Sequence, residues 1–320
     1  MKKSMIVLII VLLNVSTFRA QITDSEKKLR EQKTDTTLGW KNGGVLAVNL
    51  AQTSLTNWSA GGQNSFAVNG LLSVFANYKN DVSSWTNSLD IGYGIMKQNG
   101  LDTRKTDDKF DFVSKYGRKA FADFYYAALI NFKTQLTLGE NFPDPANPNQ
   151  GVKISDLMSP GYLIGAVGLD YKPSAYFSAF IAPLTARFTF VTDDSLSAAG
   201  AFGVEPGETV KSEMGAYLRV IYSKNDFKSE FLKNVTLTSK IDLFSNYIEN
   251  PQNIVVNWEN LIAFKINKFI SASVNTLLIY DDNIKIPFDR NGNGETEPGE
   301  VVGSKIQFKE ILGVGLSYNF

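Results

Sequence analysis

The chain has 320 residues, 32 basic and 32 acidic side chains, 43% apolar content, no histidine and no cysteine. Without histidine there is no His-dependent triad, dyad or metal site, and without cysteine no disulfide, thiolate metal site or N-terminal lipoprotein anchor. No internal run approaches the roughly 20 apolar residues of a membrane helix, which leaves one or two soluble domains or one mid-sized β-barrel.

Met1 to Ala20 reads as a secretory signal: Lys2 and Lys3, an apolar core from Met5 to Leu13, and a small residue at Ala20 where cleavage is expected. Its removal takes three bases and no acid, so the mature chain is slightly acidic. With no basic, aromatic-interleaved patch, nothing points to nucleic acid. Residues 21–42 are polar and lack a folding pattern, so they read as a flexible leader before a domain at 43–320.

From Gly43 the period-2 pattern predicts twelve strands: Gly43–Gln52, Gln63–Lys79, Val82–Gln98, Lys109–Lys119, Phe121–Gly139, Gly161–Lys172, Ala175–Thr192, Lys211–Lys224, Phe231–Ile248, Asn253–Asn267, Phe269–Ile286 and Gly303–Phe320. Most exceed the five or six residues usual in soluble sheets and are long enough to cross a membrane at a tilt. Their connections alternate, short at Asn80-Asp81 and Pro173-Ser174, long at Glu140–Pro160 and Asp193–Val210. Short periplasmic turns and long external loops are the rule for outer-membrane barrels, and an even strand number puts both termini in the periplasm.

Side-chain alternation supports the same fold. Phe121–Gly139 sets Phe124, Tyr126, Ile130 and Phe132 against Asp123, Asn131 and Lys133. Ala175–Thr192 sets Tyr176, Phe180, Ala182, Leu184 and Phe188 against Thr185, Arg187 and Thr189, with Pro183 on the inward face marking a bulge. Lys109–Lys119 and Gly161–Lys172 alternate poorly. In the last strand Leu312, Val314, Leu316, Tyr318 and Phe320 share the greasy face. Outward aromatics gather at both strand ends, as two bilayer interfaces would select. The expected fold is all-β: an antiparallel up-and-down transmembrane barrel of about twelve strands, in the outer membrane of a Gram-negative bacterium.

Gly39-Trp40, Gly43-Gly44, Asn49, Gln52 and Leu55-Thr56-Asn57-Trp58-Ser59-Ala60-Gly61-Gly62 lead into Asn77-Tyr78-Lys79 and Trp85-Thr86-Asn87-Ser88-Leu89-Asp90-Ile91-Gly92-Tyr93-Gly94. This segment resembles a Bacteroidota family of uncharacterised barrel-like proteins, a domain of unknown function. The resemblance implies an outer-membrane setting and no activity. Asn57 and Trp58 form a tight aromatic turn, either a packing plug or a loop contact for a ligand or partner.

Two constellations bear on function. Asp289-Arg290-Asn291-Gly292-Asn293-Gly294-Glu295-Thr296-Glu297-Pro298-Gly299-Glu300 fits the calcium-loop pattern, with Asp289, Asn291, Asn293 and Glu300 as oxygen ligands, Glu295 beside them and Gly294 at the sharp turn. It is a candidate for weak structural calcium, its alternative a polar turn. The inward face is expected to carry Lys133, Arg187, Arg219, Lys240, Lys265 and Lys309 beside Asp90, Asp123, Glu213, Asp242 and Glu259, as paired charges filling the lumen or as a charged ring in a narrow pore. The functional expectation is a monomeric, non-enzymatic narrow pore or structural envelope barrel in contact with outer-membrane lipid. The alternative is a docking component for an envelope protein partner, acting through the loops. An embedded enzyme is the third reading, weakened by the lack of histidine.

Overall fold

An extended chain in lipid must satisfy its backbone N–H and C=O groups against neighbouring strands, and only a sheet closed on itself does so without edges. The computed structural model describes residues 38–54, 64–142, 147–174, 176–224, 226–230, 232–265, 270–287 and 302–319. Its architecture is a closed antiparallel barrel. In chain order the strands are β1 (Gly39–Thr53), β2 (Ser65–Lys79), β3 (Ser83–Gln98), β4 (Arg104–Phe121), β5 (Phe124–Thr134), β6 (Gly139–Asn141), β7 (Val152–Ser155) and β8 (Gly161–Ser174). They continue with β9 (Phe177–Phe190), β10 (Val210–Lys224), β11 (Val235–Asn246), β12 (Ile254–Lys265), β13 (Ile270–Tyr280), β14 (Lys285–Pro287), β15 (Val302–Ser304) and β16 (Gln307–Asn319). Twelve of them, β1–β5, β8–β13 and β16, follow one another round the barrel in chain order, and β16 closes on β1. β6/β7 and β14/β15 are separate hairpins within long connections. Helix α1 (Asp194–Ala198) and a 3-10 turn at Ala201–Gly203 lie between β9 and β10.

The strand count agrees with the sequence pattern, and several boundaries differ for local reasons. β1 begins at Gly39, four residues earlier than expected, because it pairs with β2 from Gly39↔Lys79 to Thr53↔Ser65. β5 stops at Thr134. The next residues, expected to continue it, are captured by Asp108, whose carboxylate accepts from the Leu136 and Thr137 N–H groups at 2.8 and 3.0 Å. Lys105 Nζ donates to the Thr137 carbonyl at 2.8 Å and draws the chain off into β6/β7. The two last expected strands break at Tyr280 and Gln307, and their outer parts pair as β14/β15.

The barrel is apolar outside. Exposed side chains include Leu46, Val48, Leu50, Ile95, Ile130, Val167, Ile181, Leu184 and Met214 along the wall. A belt of that extent cannot face water stably, whereas lipid accepts it. At the short-turn end aromatics touch in sequence: Trp40 lies 5.4 Å from Tyr78 and 5.8 Å from Trp85, and Phe124 stacks on Phe121 and Tyr171 at 5.0 and 4.7 Å. Phe66, Tyr93, Tyr247 and Phe308 are exposed toward the other end. Outward tryptophans find partners within the wall: Trp85 Nε1 donates to Ser114 Oγ at 2.9 Å and Trp258 Nε1 to Ser239 Oγ at 3.0 Å. Lipid offers an indole N–H no acceptor, so the adjacent strand supplies one.

The interior is not uniformly polar. Ala127, Leu129, Ala166, Phe180, Ala182, Tyr217 and Phe244 form one buried cluster on the inward faces of β5 and β8–β11. This explains the weak alternation of β8, whose inward positions here include Ile164 and Ala166. The bulge expected at Pro183 is present: the register of β9 shifts between Ala182 and Thr185 against β10 and between Ile181 and Leu184 against β8. Its sense is the reverse of the expectation. Pro183 and Leu184 both face outward, and Phe180 and Ala182, expected outward, are fully buried inside. Gly168 opposes the bulge, and a Cβ there would fall 2.0 Å from the Ile181 carbonyl oxygen, so only glycine fits.

A charge placed in the apolar belt tests its contact with lipid. Val167→Arg, midway along β8, should destabilise the barrel by about 2–4 kcal/mol in urea unfolding from lipid vesicles. Val167→Ile should be near neutral, and equal stability of the two variants would contradict a lipid-facing wall.

Candidate functional site

The inward charges collect in tiers. The middle tier spans the lumen. Arg219 on β10 donates from Nε and Nη2 to the two oxygens of Asp242 on β11 at 2.6 and 3.0 Å, and Tyr217 Oη donates to Asp242 Oδ1 at 2.7 Å. The same guanidinium reaches Asn131 Oδ1 on β5 at 3.5 Å. Asn131 Nδ2 donates to Asp111 Oδ1 at 2.7 Å and to the Phe112 carbonyl at 2.9 Å. Lys133 on β5 lies between Asp111 at 3.9 Å and Asp242 at 3.8 Å. On the far wall Lys240 pairs with Glu259 at 3.1 Å, and Glu259 also meets Lys109 of β4 at 3.8 Å. Five strands separate β4 from β12 in either direction round the barrel, so this last pair crosses its full width. Asp90 stands opposite Asp111 in the β3/β4 register and accepts a hydrogen bond from the Ser73 hydroxyl.

Toward the short turns, Asp170 is held by Lys115 at 2.7 Å, Lys172 at 3.0 Å and the Ser178 hydroxyl at 2.7 Å. Toward the long loops, Arg187 donates to Asp281 at 2.6 Å across the inner faces of β10–β12 and lies 3.6 Å from Glu213. Tyr162 and Phe244 present their rings to that guanidinium at 5.3 and 5.5 Å. Charges this deeply buried are tolerable only when paired and hydrogen-bonded, and each of these groups has such a partner.

The structure therefore brings Asp90, Lys133, Arg219, Lys240, Asp242 and Glu259 into one partition, and Arg187 and Glu213 into the tier above it. Lys309 pairs instead with Asp107 of β4 at 2.8 Å, beyond β1–β3. Asp123 is a correction: it is exposed in the turn between β4 and β5, where Ala122 takes φ 43°, and its carbonyl accepts from Lys172 N–H. The side chain of Lys265 lies outside the described residues, as do Asn57, Trp58 and the whole calcium-pattern loop with Asp289, Asn291, Asn293, Glu295 and Glu300. Among the described residues no group of three or more carboxylates could hold a metal. Lys109, Asp111, Lys115, Asn131, Asp170, Tyr217 and Asp281 complete the tiers and were not among the expected charges or were placed without a role. The inward parity of β4 was the available signal, blurred by Val113 on the same face.

Segments of the long loops are tied to one another. Lys153 on β7 donates to Asp193 at 2.6 Å and to Asp156 at 3.1 Å, and Asp193 caps α1 by accepting from Leu196 N–H at 3.0 Å. Val191, Leu196 and Val204 form a small core beneath. The Lys153 ammonium, the Ser195 hydroxyl and the Leu196 N–H together hold the Asp193 carboxyl well below the usual carboxylate range.

Residues 50–139 match the model of a family described as a protein of unknown function (DUF3078). The match overlaps the Gly39–Gly94 segment that carries the resemblance noted above and runs on through β5. No curated protein matches the chain. Among solved structures, an outer membrane channel from Pseudomonas putida F1 is similar at 11% identity, over 95% of this chain and 98% of that one, with a TM-score of 0.38.

Two predictions follow from this geometry. Arg219→Ala leaves Asp242 buried without its strongest partner and should cost about 3–5 kcal/mol in equilibrium unfolding; a loss below about 1 kcal/mol, the range of solvated surface pairs, would show that the partition is wet. The second concerns pH. Because the Asp193 carboxyl is depressed in the folded loop, its contribution is whole above about pH 4 and is lost as pH falls through the lowered value. Proteolysis within residues 139–155 should stay slow down to about pH 4 and quicken only below it, whereas Asp193→Asn should be cut readily at neutral pH. Equal cleavage of both chains at neutral pH would rule out the tether.

Proposed function

We propose that this chain is a signal-targeted, non-enzymatic barrel of a Gram-negative outer membrane, spanning the lipid as a monomer with both termini periplasmic. Its lumen is closed to bulk solute at mid-height by paired charges. One observation carries this reading: the ion pairs Lys109–Glu259 and Lys133–Asp242 join strands that are not neighbours, across the space an open pore would keep free. The apolar cluster of Phe180, Tyr217 and Phe244 fills the adjoining part of the lumen. Among the earlier alternatives, this favours the structural envelope barrel over the narrow pore. The lack of histidine and the engagement of each partition carboxylate by a cation or hydrogen-bond donor support a non-catalytic role.

A docking role toward an envelope partner is the second reading. It is favoured by the outer face of the loop region, where Val152, Ile154 and Leu157 are 53%, 51% and 52% exposed.

Conductance in planar bilayers tests the closed lumen. The unmodified chain, shown to be folded, should give no sustained steps. Lys109→Ala combined with Lys133→Ala removes both cross-lumen cations and should open a conductance that prefers cations, since Asp111 loses its Lys133 contact and Asp242 and Glu259 keep one cation each, Arg219 and Lys240. Large ohmic steps from the unmodified chain would overturn the proposal.

A further inference from the structure

The inward charges balance differently from tier to tier. In the middle tier Lys109, Lys133, Arg219 and Lys240 stand against Asp90, Asp111, Asp242 and Glu259, four cations to four carboxylates. Toward the long loops Arg187 and Lys211 meet Glu213, Glu249 and Asp281, and the balance is acidic. Toward the short turns it reverses. Lys115 and Lys172 approach the same oxygen of Asp170, at 2.7 and 3.0 Å, and its other oxygen accepts from the Ser178 hydroxyl at 2.7 Å. Among the described residues no second carboxylate lies on the inward strand faces at this height. One carboxylate therefore serves two ammoniums where Asp170 is 0% and Lys115 5% exposed. The rings of Phe180 and Tyr125, 5.9 Å from Lys115 and 5.3 Å from Lys172, lower the cost of burying these cations but supply no charge.

Lys119 adds a third ammonium. It has the inward parity of Lys115 on β4 and stands opposite Tyr125 in the β4/β5 register, as Tyr125 stands opposite Asp170 in the β5/β8 register. Lys119, Tyr125 and Asp170 thus form one row across three strands of the inner face. Lys119 is exposed and the Lys172 side chain keeps 15% exposure, so both can be reached from the short-turn end, whereas Lys115 is sealed. Asp81 and Asp123 lie exposed in the neighbouring turns, and among the described residues neither forms an ion pair with Lys119. Lys41 and Lys79, at inward positions of β1 and β2 toward the same end, have contacts of their own and contribute to the field rather than to the site.

We infer that the short-turn end of the lumen is an anion site for a phosphate group, free or as a monoester. Lys119 and Lys172 contact it, and Lys115 supplies the charge that Asp170 leaves unbalanced. Three ammoniums less one carboxylate leave two positive charges, and a phosphate monoester carries close to two negative ones at neutral pH with three strong acceptor oxygens. Lysine binds phosphate as a point charge, so ammoniums arriving from different strands suffice without a planar fork. The site faces the lumen, where head groups against the outer wall do not reach, and the ligand comes from the water at that end. The inference uses the barrel fold alone and depends neither on a closed partition nor on the orientation of the barrel.

Isothermal titration calorimetry of the full chain, refolded in detergent micelles, tests the site with inorganic phosphate titrated against a chloride background of constant ionic strength. One saturable site per chain is expected. Lys119→Ala should weaken binding about tenfold, the loss of one charge-assisted contact. Lys119→Arg keeps the charge and should retain binding, and Lys97→Ala, at the long-loop end, should leave it unchanged. Lys119 is exposed, so its replacement spares the buried network, and far-UV circular dichroism checks that each variant is folded. An isotherm that never saturates, or one that chloride reproduces, overturns the site. So does a saturable site that Lys119→Ala leaves intact, because the phosphate then sits elsewhere. Conductance is read separately: an open lumen defeats the closed partition alone, and absent phosphate binding defeats the anion site alone.

Discussion

Arg219 and Asp242 form the interaction on which the interior depends. The guanidinium meets the carboxylate through two nitrogens and reaches Asn131, and the carboxylate also accepts from Tyr217. Through Asn131 and Lys133 the same pair is joined to Asp111 on β4, so that β4, β5, β10 and β11 share one network. A buried ion pair is weak evidence of net stability, since desolvation offsets much of the attraction. Its effect here is on geometry: the planar guanidinium fixes the heights at which β10 and β11 present their charges to β5. The apolar cluster beside it, with Phe180 and Phe244, excludes water and makes each unpaired alternative costly.

This arrangement makes the barrel asymmetric. From β4 to β12 the interior holds fully buried side chains, Phe180, Leu129, Leu261, Thr236 and Thr238 among them, whereas β2 and β3 are mostly half-buried. The bulge at Pro183 contributes by its extra residue. It turns Phe180 and Ala182 inward while Arg187 remains inward too, so one strand supplies both an apolar plug and an ion-pair partner. Without it, either Phe180 or Arg187 would face lipid, and a guanidinium in lipid is the costlier error.

What could be read from the chain follows from which solvent each face meets. Lipid is uniform, so outward positions such as Leu46, Ile130 and Leu184 repeat at period 2, and strand number and most faces were legible. The interior was legible only as a set of charges, because its partners lie far apart in the chain: Lys109 meets Glu259, and Lys309 meets Asp107. On β8 the inward Ile164 and Ala166 are as apolar as the lipid face, which erased the alternation that would have placed Asp170. Asp123 was misread because alternation alone carried β5 back into a turn that Ala122 closes with positive φ. The end of β5 at Thr134 depends on Asp108 accepting from the backbone of Leu136 and Thr137, a contact to which period-2 patterning is blind.

The packed side of the barrel follows from the same constraint. A barrel gains its rigidity from continuous pairing and from side chains that lock strands across the lumen. β9, β10 and β11 have both, with register pairs along their length and the Arg219, Asp242 and Arg187 contacts inside. On the other side, β1 pairs with β2 from Gly39 to Thr53, and among the described residues β16 reaches across the lumen through the Lys309–Asp107 pair. Parting any two neighbours from β5 to β11 would unpair ten or more positions and expose buried charge. The charged partition that joins these strands across the lumen is therefore also what holds this side of the barrel still.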